Sequence, residues 1–300
     1  MGEFLNFQSK GKEIVPDKPK GILYLVATPI GNLADFSFRA VAVLQGVDFI
    51  ACEDTRHSRP LLERYGINKP LSALHEHNED AASARLLDRL ERGESMALVS
   101  DAGTPLINDP GFPMVRLAVE RGLAVVPVPG ACALVAALSA SGLAADRFAF
   151  EGFPPRSGPA RRTLLEGLLD DARTLIFYES SHRVAEFVND IARVFPGERR
   201  IVIARELTKL HETIVRCRVE EASALIAADP YMEKGEFVVL LQGAATGRGG
   251  DALTHEQARV LKLLLEECSV KSAAALTAKI TGARKDLAYQ AALRWAEKNP

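Results

Sequence analysis

No apolar run in this 300-residue chain reaches the roughly 18 to 20 residues that a membrane-spanning helix needs, and its longest stretch of small apolar residues, 131–138, is far shorter. Cysteine is scarce: Cys52, Cys132, Cys217 and Cys268 are widely spaced and form no CxxC pair. That excludes a disulfide framework and a zinc ribbon, and predicts reduced, mostly buried thiols in a cytoplasmic protein with no metal site. The nucleotide signatures GxGxxG and GxxxxGK[ST] are missing, as is the GxSxG elbow of the α/β hydrolases, so nicotinamide, P-loop and hydrolase readings lose their motif. Charge of one sign is also lacking. A net charge of −2 argues against coating nucleic acid by bulk electrostatics and leaves room only for a local basic face. Residues 1–20 are mixed polar and charged without the apolar core of a secretory signal, and are expected to form a flexible arm.

What is present is ordinary globular material, 47% hydrophobic and 25% charged, in a length that suits two moderate domains. Short β-branched runs at 22–27, 49–52, 96–99 and 124–128 alternate with helical stretches at 36–44, 81–92 and 111–121. This is the pattern of a largely parallel sheet covered by helices. After the Pro129-Gly130 turn, strands are expected at 148–153, 174–178, 200–204 and 237–242, and helices at 131–141, 161–169, 181–194 and 222–228. A hairpin through 212–219 adds antiparallel pairing. The glycine-rich segment 246–250 reads as a joint, and 254–267, 271–279 and 284–298 as three helices. From Lys271 onward six bases face two acids, and helix, turn at Gly282, basic helix outlines a helix-turn-helix nucleic-acid binder, while charge alone equally fits a solvated helical cap. The expected organisation is α/β, with an arm at 1–20, α/β domains at 21–129 and 130–245, and a helical, helix-turn-helix-like module at 251–300.

Polar clusters recur where the strands end. The richest is Ser100-Asp101-Ala102-Gly103-Thr104-Pro105-Leu106-Ile107-Asn108-Asp109-Pro110-Gly111, an approachable backbone with carboxylates beside it, at the strand end where open α/β sheets bind ligands. Asp109 reads as a helix cap ahead of Pro110. Thr28 to Leu33 follows the first strand, and Glu53-Asp54-Thr55-Arg56 ends the second with charges expensive to bury without partners. His75 and His77 share a face of an extended segment, yet nothing nearby completes a metal set. Ser180 and Ser181 follow a further strand, Ser181 as a helix N-cap. Arg205 to Lys209 and Lys234 to Glu236 close the series.

The ordered set TPIGNL (28–33), EDTR (53–56), LHEHNE (74–79), SDAGTPLINDPG (100–111), PVPGACA (127–133), EGF (151–153), IFYESSHR (176–183), ARELTK (204–209) and KGE (234–236) resembles the bacterial 16S ribosomal RNA cytidine-2′-O-methyltransferases of the tetrapyrrole methylase superfamily. The resemblance covers about 21–243, and the basic helical tail is similar as well. It implies two α/β/α domains with S-adenosylmethionine in a cleft between them, a homodimer, and 16S ribosomal RNA or the small ribosomal subunit as partner, with no membrane. Carried over residue by residue, the donor's pocket would comprise Pro29, Asp101, Ala102, Gly103, Thr104, Leu106, Ile107, Ala131 and Cys132, completed by Tyr178, Leu207 and Gly235. Thr104 stands where relatives carry an acid.

A ribose hydroxyl is a poor nucleophile and benefits from a proton acceptor. Asp101, Asp54 and Glu53 are the candidates by acidity and placement. Arg56, Arg59, Arg161, Arg162, Arg183, Lys271, Arg284 and Lys285 are expected to contact RNA phosphates. Two alternatives stay open on the residues alone: a small-molecule, precorrin-type tetrapyrrole methylase, and a non-catalytic RNA-binding assembly protein.

Overall fold

The computed structural model describes residues 20–75, 78–244 and 253–296. The arm up to residue 19, Glu76, His77, the joint at 246–250 and the last four residues lie outside them. The chain divides into two compact units, Met1–Cys132 and Ala133–Pro300.

In the first unit, strands β1 (Ile22–Val26), β2 (Phe49–Cys52), β3 (Leu71–Ala73), β4 (Met96–Val99) and β5 (Ala124–Val128) form one sheet in the order β3-β2-β4-β1-β5, with every pairing parallel. Strand parity explains how it is covered. Phe49, Ala51, Met96 and Leu98 belong to one apolar cluster with Leu86, Leu87 and Leu90 of α3 (Glu79–Glu91) and Met114 of α4 (Phe112–Glu120). Ile50, Cys52, Ala97 and Val99 point the other way, to Ala40 and Leu44 of α1 (Phe38–Gly46) and Leu62 of α2 (Thr55–Arg64). Helix α2 and the short β3 are absent from the sequence-based expectation. Pro60 lies inside α2 and its composition is strongly polar, so no apolar period announces it; its start is set by Asp54, whose Oδ1 accepts from the Arg56 amide at 2.7 Å.

The second unit carries α5 (Ala133–Ser141), β6 (Phe148–Gly152), α6 (Gly158–Gly167), β7 (Thr174–Ser180), α7 (Val184–Val194), β8 (Arg200–Arg205), β9 (Thr213–Arg218), α8 (Val219–Ala228) and β10 (Glu236–Leu241). Its sheet runs β6-β7-β10-β8-β9; only β6 and β7 are parallel, and the β8–β9 hairpin is antiparallel. One face buries Leu175, Phe177, Ile201, Ile203 and Val239 against Leu165, Phe187 and Ile191 of α6 and α7. Ser181 does not cap α7: that helix begins at Val184 with Arg183 at its N-cap, because Ser180 to Arg183 form a turn closed by the Arg183 amide on the Ser180 carbonyl at 3.0 Å.

Helices α9 (His255–Glu267), α10 (Val270–Thr281) and α11 (Lys285–Ala296) group with the second unit, yet have a core of their own in Leu261, Ala273, Ala274, Ala288, Ala291 and Ala292. Gly282 ends α10 in the left-handed conformation, φ 72°, as the turn required. Asp170 accepts from the Glu256 amide at 2.9 Å and ties the start of α9 to the α/β part of the unit. Among the described residues, no helix is long and apolar enough to cross a membrane. Cys52 is buried and the other three thiols are half-buried, with no disulfide among them.

Candidate functional site

Thr28, at the end of β1, and Gly103, in the loop after β4, exchange both backbone hydrogen bonds, Thr28 N to Gly103 O at 2.9 Å and Gly103 N to Thr28 O at 3.1 Å. Hydroxyls finish the stitching. Thr28 Oγ1 donates to the Ser100 carbonyl at 3.1 Å, and Ser100 Oγ donates to the Gly103 carbonyl at 2.8 Å. Thr104 Oγ1 donates to the Ala131 carbonyl at 3.0 Å and brings in the segment after β5. Three neighbouring strand ends of a parallel sheet are thereby joined into one cradle. Gly103 has φ +93°, and a Cβ there would lie 3.3 Å from Ile30 Cγ2, so a side chain would be both strained and crowded. Leu106 and Asn108 also hold left-handed backbone, φ 72° and 67°, a cost that a loop keeps only where its surroundings over-determine it.

The predicted donor residues of this unit fall on the cradle or beside it. Ala102 is exposed, Asp101, Thr104, Ile107, Ala131 and Cys132 are half-buried, and Pro29 is buried. Leu106 packs inward on the α3–α4 core, so what it can offer a ligand is its backbone. Asp101 Oδ1 accepts from the Asp54 amide at 3.4 Å, which places the β2 and β4 loops side by side. Asp54 is itself spent as the α2 cap, while Glu53 is half-buried.

Asp109 is a correction. The N-cap of α4 is Gly111, and Asp109 lies outside the helix. Burial, with the charges of Glu53 and Asp101 added, pushes its carboxyl up to about 6 against the lowering influence of the Ser100 hydroxyl. Sequence reading missed this group, and it missed Thr28 and Ser100 as braces. The only signal for the braces was a hydroxyl at the ends of two strands that prove to be close in space.

In the second unit the strand ends of β7, β8 and β10 hold the remaining donor candidates. The Tyr178 hydroxyl accepts from the Leu134 amide at the start of α5, 3.1 Å. Leu207 is buried between two left-handed residues, Glu206 at φ 50° and Thr208 at φ 66°. Gly235, φ +95°, leaves the room that the Glu206 side chain fills: a Cβ there would sit 2.5 Å from Glu206 Oε1. Burial raises the Glu206 carboxyl, but Lys209, at 2.8 Å, and the Glu236 amide outweigh it and hold it below the usual range.

The basic residues separate into two groups. Arg56 and Arg59 are exposed on α2, and Lys271, Arg284 and Lys285 are exposed on the helical module, Arg284 paired with Asp286. Arg161 does not face solvent as an RNA contact requires, and Arg183 is half-buried and paired. Arg161 is 3% exposed and pairs with Asp190 at 2.6 Å, and Arg183 pairs with the buried Glu179 at 3.1 Å. Arg162 is half-buried with Nη1 on the other Asp190 oxygen at 3.1 Å. The cause is local: Asp190 and Glu179 are buried, and a buried carboxylate needs a guanidinium. Burial raises the Asp190 carboxyl, and the Arg161 and Arg162 hydrogen bonds overcome this and hold it low.

A glycine-containing cradle at the carboxyl ends of a parallel sheet, joined in one chain to a mixed second sheet, defines an α/β protein of the kind that binds a ligand at its strand ends. The sequence profile of the tetrapyrrole (corrin/porphyrin) methylases matches residues 22–223, and the chain belongs to that family. Residues 251–296 match a second profile, described as the RsmI C-terminal HTH domain. The chain is 53% identical over 274 residues to ribosomal RNA small subunit methyltransferase I of Pseudomonas aeruginosa, covering 91% of this chain and 97% of that one. It is 48% identical to the protein of the same name from Haemophilus influenzae, covering 93% and 98%. Among solved structures, the methyltransferase CobJ aligns with a TM-score of 0.56 at 19% identity, covering 77% of this chain and 97% of that one. Diphthine synthase aligns at 0.55 and 16%, covering 74% and 90%. At these identities the structural likeness speaks for the fold.

Proposed function

We propose that this chain transfers the methyl group of S-adenosylmethionine to 16S ribosomal RNA, at the ribose 2′-oxygen of a cytidine in the decoding centre. The observation that carries the reading is identity at about half of all positions, over nine-tenths of each chain, to proteins named ribosomal RNA small subunit methyltransferase I. The cradle suits the donor. Gly103, where a Cβ would be crowded, keeps the cradle free of a side chain beside the exposed Ala102 and the small Ala131 and Cys132, and Asp101 supplies a carboxylate for the donor's polar groups. Pro29, Thr104, Leu106 and Ile107 belong to the same assignment, as do Tyr178, Leu207 and Gly235 on the strand ends of the second unit.

When bound, the donor supplies an electrophilic methyl group; the chain's own task is to align the acceptor and receive its proton. Asp101 is the first choice of acceptor and Glu53 the second. Asp54 is weakest, because one of its oxygens holds the Arg56 amide. Arg56, Arg59, Lys271, Arg284 and Lys285 set RNA affinity through phosphates, with Arg162 a partial contributor. We also assign a cytoplasmic homodimer.

Incubation with labelled S-adenosylmethionine and small ribosomal subunits from cells lacking the protein tests the reading. Label at a cytidine 2′-oxygen of 16S RNA is expected. Label in a porphyrin precursor and none in RNA would instead establish a tetrapyrrole substrate, and donor binding without transfer to either would leave an assembly protein.

A further inference from the structure

Phe153 is a large apolar side chain left 48% exposed, and the chain goes to some length to hold it there. The pairing of β6 with β7 carries a bulge between Phe150 and Gly152, the device by which a strand re-aims the residues that follow. Gly152 then takes φ 66°. The Phe153 ring meets Tyr178 edge-on, centroids 5.9 Å apart, and Phe150 meets Tyr178 at 4.7 Å. Behind Phe153 come Pro154 and Pro155, two residues of fixed φ.

The carbonyls of this loop are gripped by the buried Arg161 and the half-buried Arg183. Arg183 Nη2 donates to Pro154 O and, at 3.4 Å, to Pro155 O; Arg161 Nη1 donates to Arg156 O at 3.4 Å. Each guanidinium is anchored in turn by a buried carboxylate, Glu179 or Asp190. Buried ion pairs carry a desolvation cost, and a mere connection between β6 and α6 has no need of two. The Arg156 side chain is exposed and has no ion-pair partner among the described residues.

We propose that Phe153 and Arg156 form a rigid platform for one unstacked nucleotide of the RNA substrate, the ring stacking on the base and the guanidinium pairing with a phosphate. The proposal rests on the RNA methyltransferase reading and extends it to a subsite for the acceptor strand. Single-stranded RNA is recognised by aromatic faces next to cations, and a ring already immobilised by its loop loses little freedom on binding. Stacking reads the π-face of any base, so the platform positions the strand and leaves base choice to other contacts.

The test uses the full chain, wild-type and as Phe153→Leu, Phe153→Trp and Arg156→Gln. The readouts are KM for unmodified small subunits, donor affinity by calorimetry, and the thermal midpoint. Leucine keeps the apolar volume and removes the π-face; it is expected to raise KM about 10- to 100-fold with donor affinity unchanged, and tryptophan to restore it. Arg156→Gln is expected to reduce the slope of log affinity against log salt by about 1. A wild-type KM for Phe153→Leu, or a rise that tryptophan does not reverse, overturns the platform. Failure of the wild-type protein to label any subunit would sink the methyltransferase reading instead. Anisotropy with a short single-stranded RNA, wild-type against Phe153→Leu, would then still decide the platform.

Discussion

The bridge that joins the strand ends of β1 and β4 in the first unit is made of neutral groups, whereas the loop after β6 in the second is held by charged side chains. In the first, two hydroxyls and a backbone bridge between Thr28 and Gly103 join strand ends that are already neighbours in a parallel sheet. In the second, guanidinium groups reach across from α6 and the start of α7 to grip carbonyls. Neutral stitching suits the proposed donor site, where a sulfonium and an amino acid would find their own electrostatic partners. Charged struts suit a loop that, on the platform proposal, stays put while an anionic strand docks beside it. The two differ in how they fail: a hydroxyl lost from the cradle costs one modest bond, while half of a buried ion pair lost leaves the other charge stranded.

That contrast can be broken first at its strongest points. Gly103→Val combines φ +93° with a branched Cβ against Ile30 and is expected to abolish donor binding in calorimetry, a loss of 100-fold or more on the order of magnitude set by strained backbone. Unchanged affinity would remove the cradle from the donor site. Asp190→Asn strips the charge that Arg161 and Arg162 face and should cost about 3 kcal/mol in denaturant unfolding. A cost below about 1 kcal/mol would show that the second loop is no more dependent on charge than the first.

Smaller effects sharpen it. Asp109 has a folded-state pKa of about 6 against an ordinary 3.8, so the native state binds the extra proton between those values and stability falls as pH rises from about 4 to about 6. Asp109→Asn should therefore stabilise the protein above pH 6, by about 1 kcal/mol once solvent screening of a half-exposed carboxyl is allowed for, and give no gain below pH 4. Equal midpoints across that range would mean the carboxyl is not held in the acidic surroundings of Glu53 and Asp101. Thr104→Val removes only the bond to the Ala131 carbonyl and should cost about 1 kcal/mol with little pH dependence.

Much of the fold was legible. The strands at 22–26, 49–52, 96–99 and 124–128 and the change to antiparallel pairing after residue 200 follow from apolar runs and hairpin spacing. Helix α2 was not legible, since a polar segment with an internal proline carries no period to read. The cap readings of Asp109 and Ser181 failed because each lies close to a helix start without being the residue whose backbone turns into it. Among the charged residues, Arg56 and Arg161 look alike in sequence. One is solvated and the other buried, according to whether a carboxylate on a distant helix comes to meet it.

By itself the sequence determined the family, the alternation of strands and helices, and the strand-end clusters where a ligand belongs. Those are properties of local pattern and short motifs, and local pattern is written along the chain. Only the tertiary structure decided that Thr28, Ser100 and Gly103 form one stitched cradle, that Asp109 is a half-buried acid and not a cap, and that Arg161 and Arg183 brace a loop while Phe153 and Arg156 are presented from it. Each of these depends on desolvation and on partners brought together over 29 to 75 positions of chain, distances at which sequence spacing carries no geometry.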